Sequence, residues 1–314
     1  VEEERTLRSE REPGDVALVT AARARGLDED MAPLLAALAA RGLDAVEVVW
    51  DDPAVEWGGF DLVVLRSTWD YYARREEFLA WAERVAAVSE LHNPVPVLRW
   101  NTDKRYLRDL ERAGVPIVPT TFLGPGEPAT LTELPEQDKL DVIVKPAVSA
   151  GSNDTARYRA GEREAALAHV VRLQSEDRSA MVQPYQHAVD EHGETALVYF
   201  DGRFSHAIRK GAIFAGGPQM VGGLFAREEI GAREPTAAER QVGAAALRAA
   251  AGVLPAPVMP LLYARVDLVP LADGAPGVLE LELCEPSVFV AHAEGAAERL
   301  AAAMAQRLEL RLPR

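Results

Sequence analysis

Residues 16–20 (Val-Ala-Leu-Val-Thr) form an apolar run that reads as a buried strand, and residues 45–49 and 61–65 repeat the pattern. Between the first two, Asp28 is placed to cap a helix through Arg41, with Gly42 as its stop. Residues 74–88 carry Phe78, Leu79, Trp81, Ala82 and Val85 at helical spacing, so one face of that helix is apolar. This strand–helix rhythm predicts a small parallel, Rossmann-like sheet over residues 14–95.

The rhythm changes at His92-Asn93-Pro94-Val95-Pro96, which reads as a linker. Asn101 or Thr102 can cap a helix through Ala113, with Gly114 closing it. Residues 117–122 and 141–146 look extended, residues 162–173 helical and residues 181–184 extended again. Two strand-like runs, 195–200 and 203–209, meet at Asp201-Gly202, a hairpin signal. A Gly-rich stretch (211–223), a helix (236–251), two strands (262–269 and 277–283) and a last helix (293–308) follow. The fold class is α/β: the Rossmann-like subdomain, then two α+β lobes at 96–186 and 187–314.

Strand parity singles out residues 263–268 and 278–286. Each run alternates charged and apolar side chains, and alternate residues of a strand share a face. If the turn at Asp273-Gly274 makes the runs antiparallel neighbours, Asp267 lies opposite Glu280 and Arg265 opposite Glu282. A solvated ion pair accounts for Arg265 and Glu282. It leaves Asp267 and Glu280 facing each other, and like charges across a ladder destabilise it. A hard divalent cation such as Mg²⁺ resolves that repulsion.

Lys145 ends the run Val142-Ile143-Val144 and precedes small residues, among them Ser149, Gly151 and Ser152. Small residues let backbone N–H groups approach an oxyanion, and a lysine at the mouth adds charge; a strand-end lysine reaching for solvent is the bland alternative. Lys104, read as lying in the first turn of its helix, opposes the helix dipole unless an anion binds there. No GxxxxGK[ST] loop and no GxGxxG after the first strand occurs, which sets aside P-loop and dinucleotide-binding readings.

The formal net charge is −15, so non-specific nucleic-acid binding is not expected, and triphosphate can bind only where lysines or metal ions reverse the local sign. No run is apolar and long enough to span a membrane, the opening Val-Glu-Glu-Glu-Arg does not resemble a signal peptide, and residues up to Gly14 read as a flexible tail. The single cysteine, Cys284, suits a reducing, cytoplasmic setting and reads as a packed thiol. His187 and His192 lack a third soft ligand, so no zinc site is expected. His206 alternates out of an apolar strand and could face a cleft.

Taken in order, Asn101-Thr102-Asp103-Lys104, Val144-Lys145-Pro146, Val182-Gln183-Pro184-Tyr185, Arg265-Val266-Asp267 and Glu280-Leu281-Glu282 resemble the ATP-grasp superfamily over residues 100–314. The last two motifs look like those of D-alanine–D-alanine ligases and glutathione synthetases, with Glu282 where those have asparagine. The resemblance implies a ligase that activates a small carboxylate as an acyl phosphate with ATP and Mg²⁺ and joins it to nitrogen. By it, Lys104, Lys145 and the loop with Ser149, Gly151 and Ser152 would hold phosphates. Gln183, Pro184 and Tyr185 would border adenine, and Glu191 or Glu194 would bind ribose. Asp267, Glu280 and Glu282 would bind metal, with Arg265 and Lys210 at the reacting centre.

The segment Arg66-Ser67-Thr68-Trp69-Asp70-Tyr71 directly follows the third strand, where open α/β sheets bind ligands. With residues 205–211 it is similar to the ATP-grasp group that forms cycloserine. Arg66, whose fork suits a carboxylate, Ser67, Thr68, Trp69, Asp70, Tyr71 and Ser287 are therefore candidate contacts for a small amino-acid-like substrate; the alternative is that Trp69 packs and Asp70 caps the next helix. Intramolecular cyclisation and a non-catalytic ATP-binding regulator remain alternatives, and a homodimer is one assembly this reading allows.

Overall fold

The structure, a computed structural model, describes residues 15–130, 141–212, 220–221, 223–226, 228–255 and 258–311. The charged tail and most of the Gly-rich stretch lie outside them. Three separate sheets organise the rest, beside a two-stranded hairpin.

The N-terminal sheet holds β1 (Val16–Thr20), β2 (Ala45–Val49), β3 (Leu62–Ser67) and β4 (Glu90–His92), all parallel in the order β2-β1-β3-β4. Helices α1 (Met31–Ala39) and α2 (Arg75–Ala86) cover it. Residues on β1 are buried on both faces, as a sheet between two helical layers requires. The chain then does not pass through a free linker. Residues 90–92 pair as β4, and Pro94 caps α3 (Val95–Asn101). Asn93 is buried, its amide donating to the carbonyls of Tyr263 (2.9 Å) and Leu283 (2.7 Å). The predicted single helix from Asn101 is also divided: α3 ends there, and α4 spans Tyr106–Arg112. Asn101 caps nothing; its amide donates to Leu281 O and its carbonyl oxygen accepts from Leu283 N. Helix α1 likewise starts at Met31, with Asp30 rather than Asp28 as its cap residue.

The middle sheet contains β5 (Thr121–Leu123), β6 (Val142–Pro146), β7 (Ala156–Tyr158) and β8 (Ala180–Pro184), antiparallel in the order β5-β8-β6-β7, with α5 (Arg163–Ser175) packed on it. A one-turn helix, α6 (Val189–His192), leads into the third sheet. That sheet contains β9 (Glu194–Phe200), β10 (Arg203–Lys210), β13 (Ile230–Ala232), β14 (Tyr263–Pro270) and β15 (Pro276–Glu282) in the order β13-β10-β9-β14-β15. Strands β9 and β10 turn through Asp201 and Gly202, both at positive φ, as the two-residue signal predicts. The hairpin pairs β11 (Met220–Val221) with β12 (Phe225–Ala226).

The sheets share cores. Helix α7 (Ala237–Val253), capped by a Thr236–Glu239 box, packs with α3, α4 and the third sheet. Helix α8 (Ala296–Arg311) lies against α1 and the N-terminal sheet, in a core that also takes in Val198 and Tyr263.

Candidate active site

The register of β14 and β15 is the one parity predicts: Arg265 pairs with Glu282 and Asp267 with Glu280. Their apolar neighbours Val266 and Leu281 turn into the core beneath. Arg265, Glu280 and Glu282 of the charged face border a cavity of about 670 Å³, enclosed by the middle and third sheets and by the loops that follow β1 and β3, whereas Asp267, 1% exposed, does not line it; the size suits a nucleotide-scale ligand.

Of the chain's four lysines, Lys104, Lys145 and Lys210 all line this cavity. Lys104 sits in the turn between α3 and α4 rather than inside a helix, held by its own amide's bond to Ala147 O. Its ammonium donates to Ser149 O (2.7 Å) and pairs with Glu280 (3.0 Å). Lys210, at the end of β10, faces Glu194 and Asp267 (3.1 Å each) and Glu228 (3.4 Å). Burial lowers its pKa, but the three carboxylates outweigh burial and hold it well above the ordinary value. Lys145, only 9% exposed, has no ion-pair partner among the described residues. Burial pulls its pKa down; Glu280 opposes this at a distance, and Lys104 adds to it.

The acids are more fully matched than sequence suggests. Arg265 grips Asp267 with two bonds (2.8 and 2.9 Å), pairs with Glu282 and donates to Ser287 O (3.0 Å). Burial raises the pKa values of Asp267 and Glu280, but Arg265 and Lys210, and Lys104 and Lys145 respectively, bring both below the ordinary range. The Asp267–Glu280 repulsion is thus offset by side-chain cations, which corrects the unmatched pair inferred from parity. Glu282 differs. Burial drives it up, Arg265 pulls it down, and Glu280 and Asp267 drive it up again, to about 8. Among the described residues no three His, Cys, Asp or Glu side chains converge as a metal cage.

The loop after β6 contributes Ser149, Gly151 and Ser152 to the wall. Gly151 is at φ +60°, and a Cβ there would stand 2.1 Å from Leu224 O and 2.7 Å from Phe225 Cα. Only glycine lets this loop meet the β11–β12 hairpin so closely. Gln183, Pro184 and Tyr185 also line the cavity, as do the apolar Val118, Ile143 and Leu279. Arg157 stacks 3.6 Å over the Tyr185 ring. Glu194 lines the cavity; Glu191 does not, its backbone carbonyl instead receiving Arg209.

The predicted substrate segment divides. Trp69, Tyr71 and Ser287 line the cavity, whereas Arg66, Ser67, Thr68 and Asp70 do not. The Arg66 guanidinium is fully buried, 3.2 Å from Asp30 and from Pro286 O, so it is not free to fork a substrate carboxylate. Ser67 bonds Thr20, Thr68 is buried, and Asp70 accepts from Trp50 Nε1 (3.0 Å). His206 is buried away from the cavity, and Cys284 is a packed thiol in its wall.

Sequence reasoning missed what Arg66 and Trp69 hold. Six consecutive carbonyls after β15 each accept a side-chain N–H or O–H. Leu283 receives Asn93 (2.7 Å), Cys284 receives Tyr263 (2.8 Å) and Glu285 receives Trp69 (3.2 Å). Pro286 receives Arg66 (3.2 Å), Ser287 receives Arg265 (3.0 Å) and Val288 receives His206 (2.8 Å). The Asp30 carboxylate accepts the next amides, from Val288, Phe289 and Val290. This segment has almost no freedom, and Cys284, Glu285 and Ser287 border the cavity from it.

Known proteins resemble this chain over most of its length. Residues 16–93 match the family described as the N-terminal domain of D-cycloserine synthetase DcsG. The chain is 44% identical over 303 residues to the cycloserine biosynthesis protein DcsG of Streptomyces lavendulae, covering 94% of this chain and 99% of the relative. The crystal structure of D-cycloserine synthetase DcsG superposes with a TM-score of 0.84 at 42% identity, over 93% of this chain and 99% of that one. D-alanine–D-alanine ligase from Bacillus anthracis shares the fold at a TM-score of 0.64 and 15% identity, over 95% and 98% of the two chains. The chain belongs to the DcsG family of ATP-grasp ligases and is an ATP-dependent ligase.

Proposed function

We propose that the cavity binds ATP and Mg²⁺ and activates a small amino-acid-like carboxylate as an acyl phosphate, which a nitrogen then attacks. One observation carries the reading: Lys145 is buried at the cavity wall with no ion-pair partner among the described residues. A buried ammonium without a partner is costly, and an anion relieves that cost. Phosphates would lie against Lys145, Lys104 and the loop of Ser149, Gly151 and Ser152. Adenine would lie beside Gln183, Pro184 and Tyr185, with Glu194 toward ribose.

Asp267, Glu280 and Glu282 are not drawn together as a cage, but they are three carboxylates on one face of the paired strands β14 and β15, the oxygen chemistry a hard divalent cation takes, and Glu282 carries repulsion that Arg265 does not fully offset. Mg²⁺, when bound, would neutralise phosphate charge. A phosphate group meeting Lys104 would compete with Glu280 for it and release that carboxylate. Arg265 and Lys210 would orient the reacting oxygens and stabilise the charge that builds on them. The substrate would occupy the end near Trp69, Tyr71 and Ser287. The three sheets would then correspond to functional units at about residues 14–95, 96–186 and 187–314.

The identity to a cycloserine biosynthesis protein favours one form of this chemistry, in which the nitrogen belongs to the substrate itself and ligation closes a ring. An ADP-release screen with ATP and Mg²⁺ across amino acids and ureido acids, with and without added amines, tests the proposal. ADP release that needs an acid but no amine, with a cyclic product by mass, supports ring closure. ADP release that needs both supports joining of two molecules. Absence of acid-dependent ADP release across the screen contradicts the proposal.

A further inference from the structure

Glu285 is a carboxylate that neither the metal-ligand set nor the phosphate site uses. It is 8% exposed, it lines the cavity, and no Lys, Arg or His among the described residues stands within ion-pair distance. Its side-chain hydrogen bond comes from the adjacent Cys284 thiol, a weak donor. The other acids lining the cavity are different: Asp28 and Asp30 face Arg66, Glu194 and Glu228 face Lys210, Glu280 faces Lys104 and Glu282 faces Arg265. Its backbone sits in the middle of the pinned segment, with Trp69 on its own carbonyl, Tyr263 on the one before and Arg66 on the one after. Two of these donors come from the N-terminal subdomain and one from the third sheet. A residue placed so firmly, with an almost unpartnered carboxylate in a reaction cavity, is positioned to accept a hydrogen from a ligand.

We propose that Glu285 is the general base of the ligation step, taking the proton from the nitrogen nucleophile. The inference rests on the acyl-phosphate reading above. In the step, the nitrogen lone pair forms the C–N bond. The bond from the acyl carbon to the phosphate oxygen breaks, and phosphate leaves with the electron pair. The proton lost from nitrogen goes to a Glu285 carboxylate oxygen. No oxidant or reductant is involved. The same carboxylate makes the end of the cavity near Trp69 and Ser287 favour a nitrogen carrying hydrogen over an oxygen nucleophile that presents only a lone pair.

The groups facing Glu285 support this role. Burial raises its pKa; the Cys284 thiol and Lys104 lower it, Glu280 raises it and Arg265 lowers it, leaving it pushed up to about 7. Tyr71 and Tyr263 also face it, and burial first, then nearby acidic groups, keep both phenols neutral. A base with that value is half ionised near neutral pH, where general-base catalysis is most efficient.

The test uses the full chain and an acid substrate identified by the ADP-release screen. Hydroxylamine, unprotonated at neutral pH, intercepts acyl phosphates without needing a base and yields a hydroxamate. Wild-type protein is expected to form both hydroxamate and the natural product. Glu285→Gln, of nearly the same shape, is expected to keep hydroxamate formation within about threefold while losing product formation by roughly 100-fold or more. Glu285→Asp is expected to recover part of the lost rate, and the fall in wild-type kcat/KM below about pH 7 is expected to vanish in the Gln variant. Unchanged product formation in Glu285→Gln overturns the proposal. So does equal loss of hydroxamate and product in both variants, since the residue would then serve the fold or an earlier step. Wild-type protein that releases ADP and makes product but no hydroxamate removes the acyl-phosphate reading itself, and this inference with it.

Discussion

Lys145 is the residue on which the proposed phosphate site depends most, because burial already works against its charge. Lys145→Ala should weaken ATP binding by roughly 10- to 150-fold, the range of a charge-assisted contact, with little effect on the acid substrate; calorimetry showing unchanged ATP affinity places the lysine outside the site. Asp267→Asn and Glu280→Gln should each lower turnover at least about 100-fold with the fold retained by circular dichroism. Full activity in both removes them as metal ligands. Arg66→Lys keeps the charge but cannot hold Asp30 and Pro286 O together, so it should lower stability by about 1–3 kcal/mol; unaltered melting with impaired substrate binding would restore a recognition role. The acidic strand face was legible because parity needs only local sequence. Arg66 was not, since its partner carbonyl is 220 residues away and nothing near it signals a buried donor. One signal went unused: with four lysines in the chain, the scarcity of that residue marks the three at the cavity.

At the scale of elements, the loop after β6 and the hairpin β11–β12 meet through Gly151. The left-handed conformation costs a residue with a side chain about 1–2 kcal/mol, and here the added Cβ would also strike Leu224 O. Gly151→Ala should therefore displace the loop and raise the KM for ATP about tenfold or more, while an unchanged KM would detach the loop from nucleotide binding. The pinned segment brings a pH dependence through His206. Burial lowers its pKa below the ordinary 6.5, only partly opposed by the bond to Val288 O. The neutral ring is the form the fold holds, so its contribution is complete above pH 6.5 and is lost as pH falls through and below that value. His206→Gln should flatten the acid side of a melting-temperature profile, with His169, shifted the same way, retaining part of the slope. An unchanged slope contradicts the assignment. Strands and long helices were readable from periodicity. The split of α3 from α4, and the strand and buried Asn93 in place of a linker, were not, because contacts to β14 and β15 decide them.

For the whole molecule, the middle and third sheets and loops of the N-terminal sheet converge on one cavity in a chain of net charge −15; three lysines and Arg265 stand there among eight acids, so a triphosphate would need divalent cations beside them. Sequence order of the motifs indicated this architecture, but not that α3 and α4 share a core with α7, or that α8 returns to the N-terminal sheet. Those packings draw the N-terminal subdomain against the segment bearing Glu285, so the proposed substrate and nucleotide ends are fixed relative to each other. Ligation in this cavity is proposed to proceed through an acyl phosphate. Its most direct test is one turnover experiment with the acid substrate enriched in heavy oxygen at the carboxylate, followed by mass analysis of the phosphate released. Transfer of a single heavy oxygen from each substrate molecule to phosphate is the predicted result; phosphate carrying none, with product formed, would contradict an acyl-phosphate route.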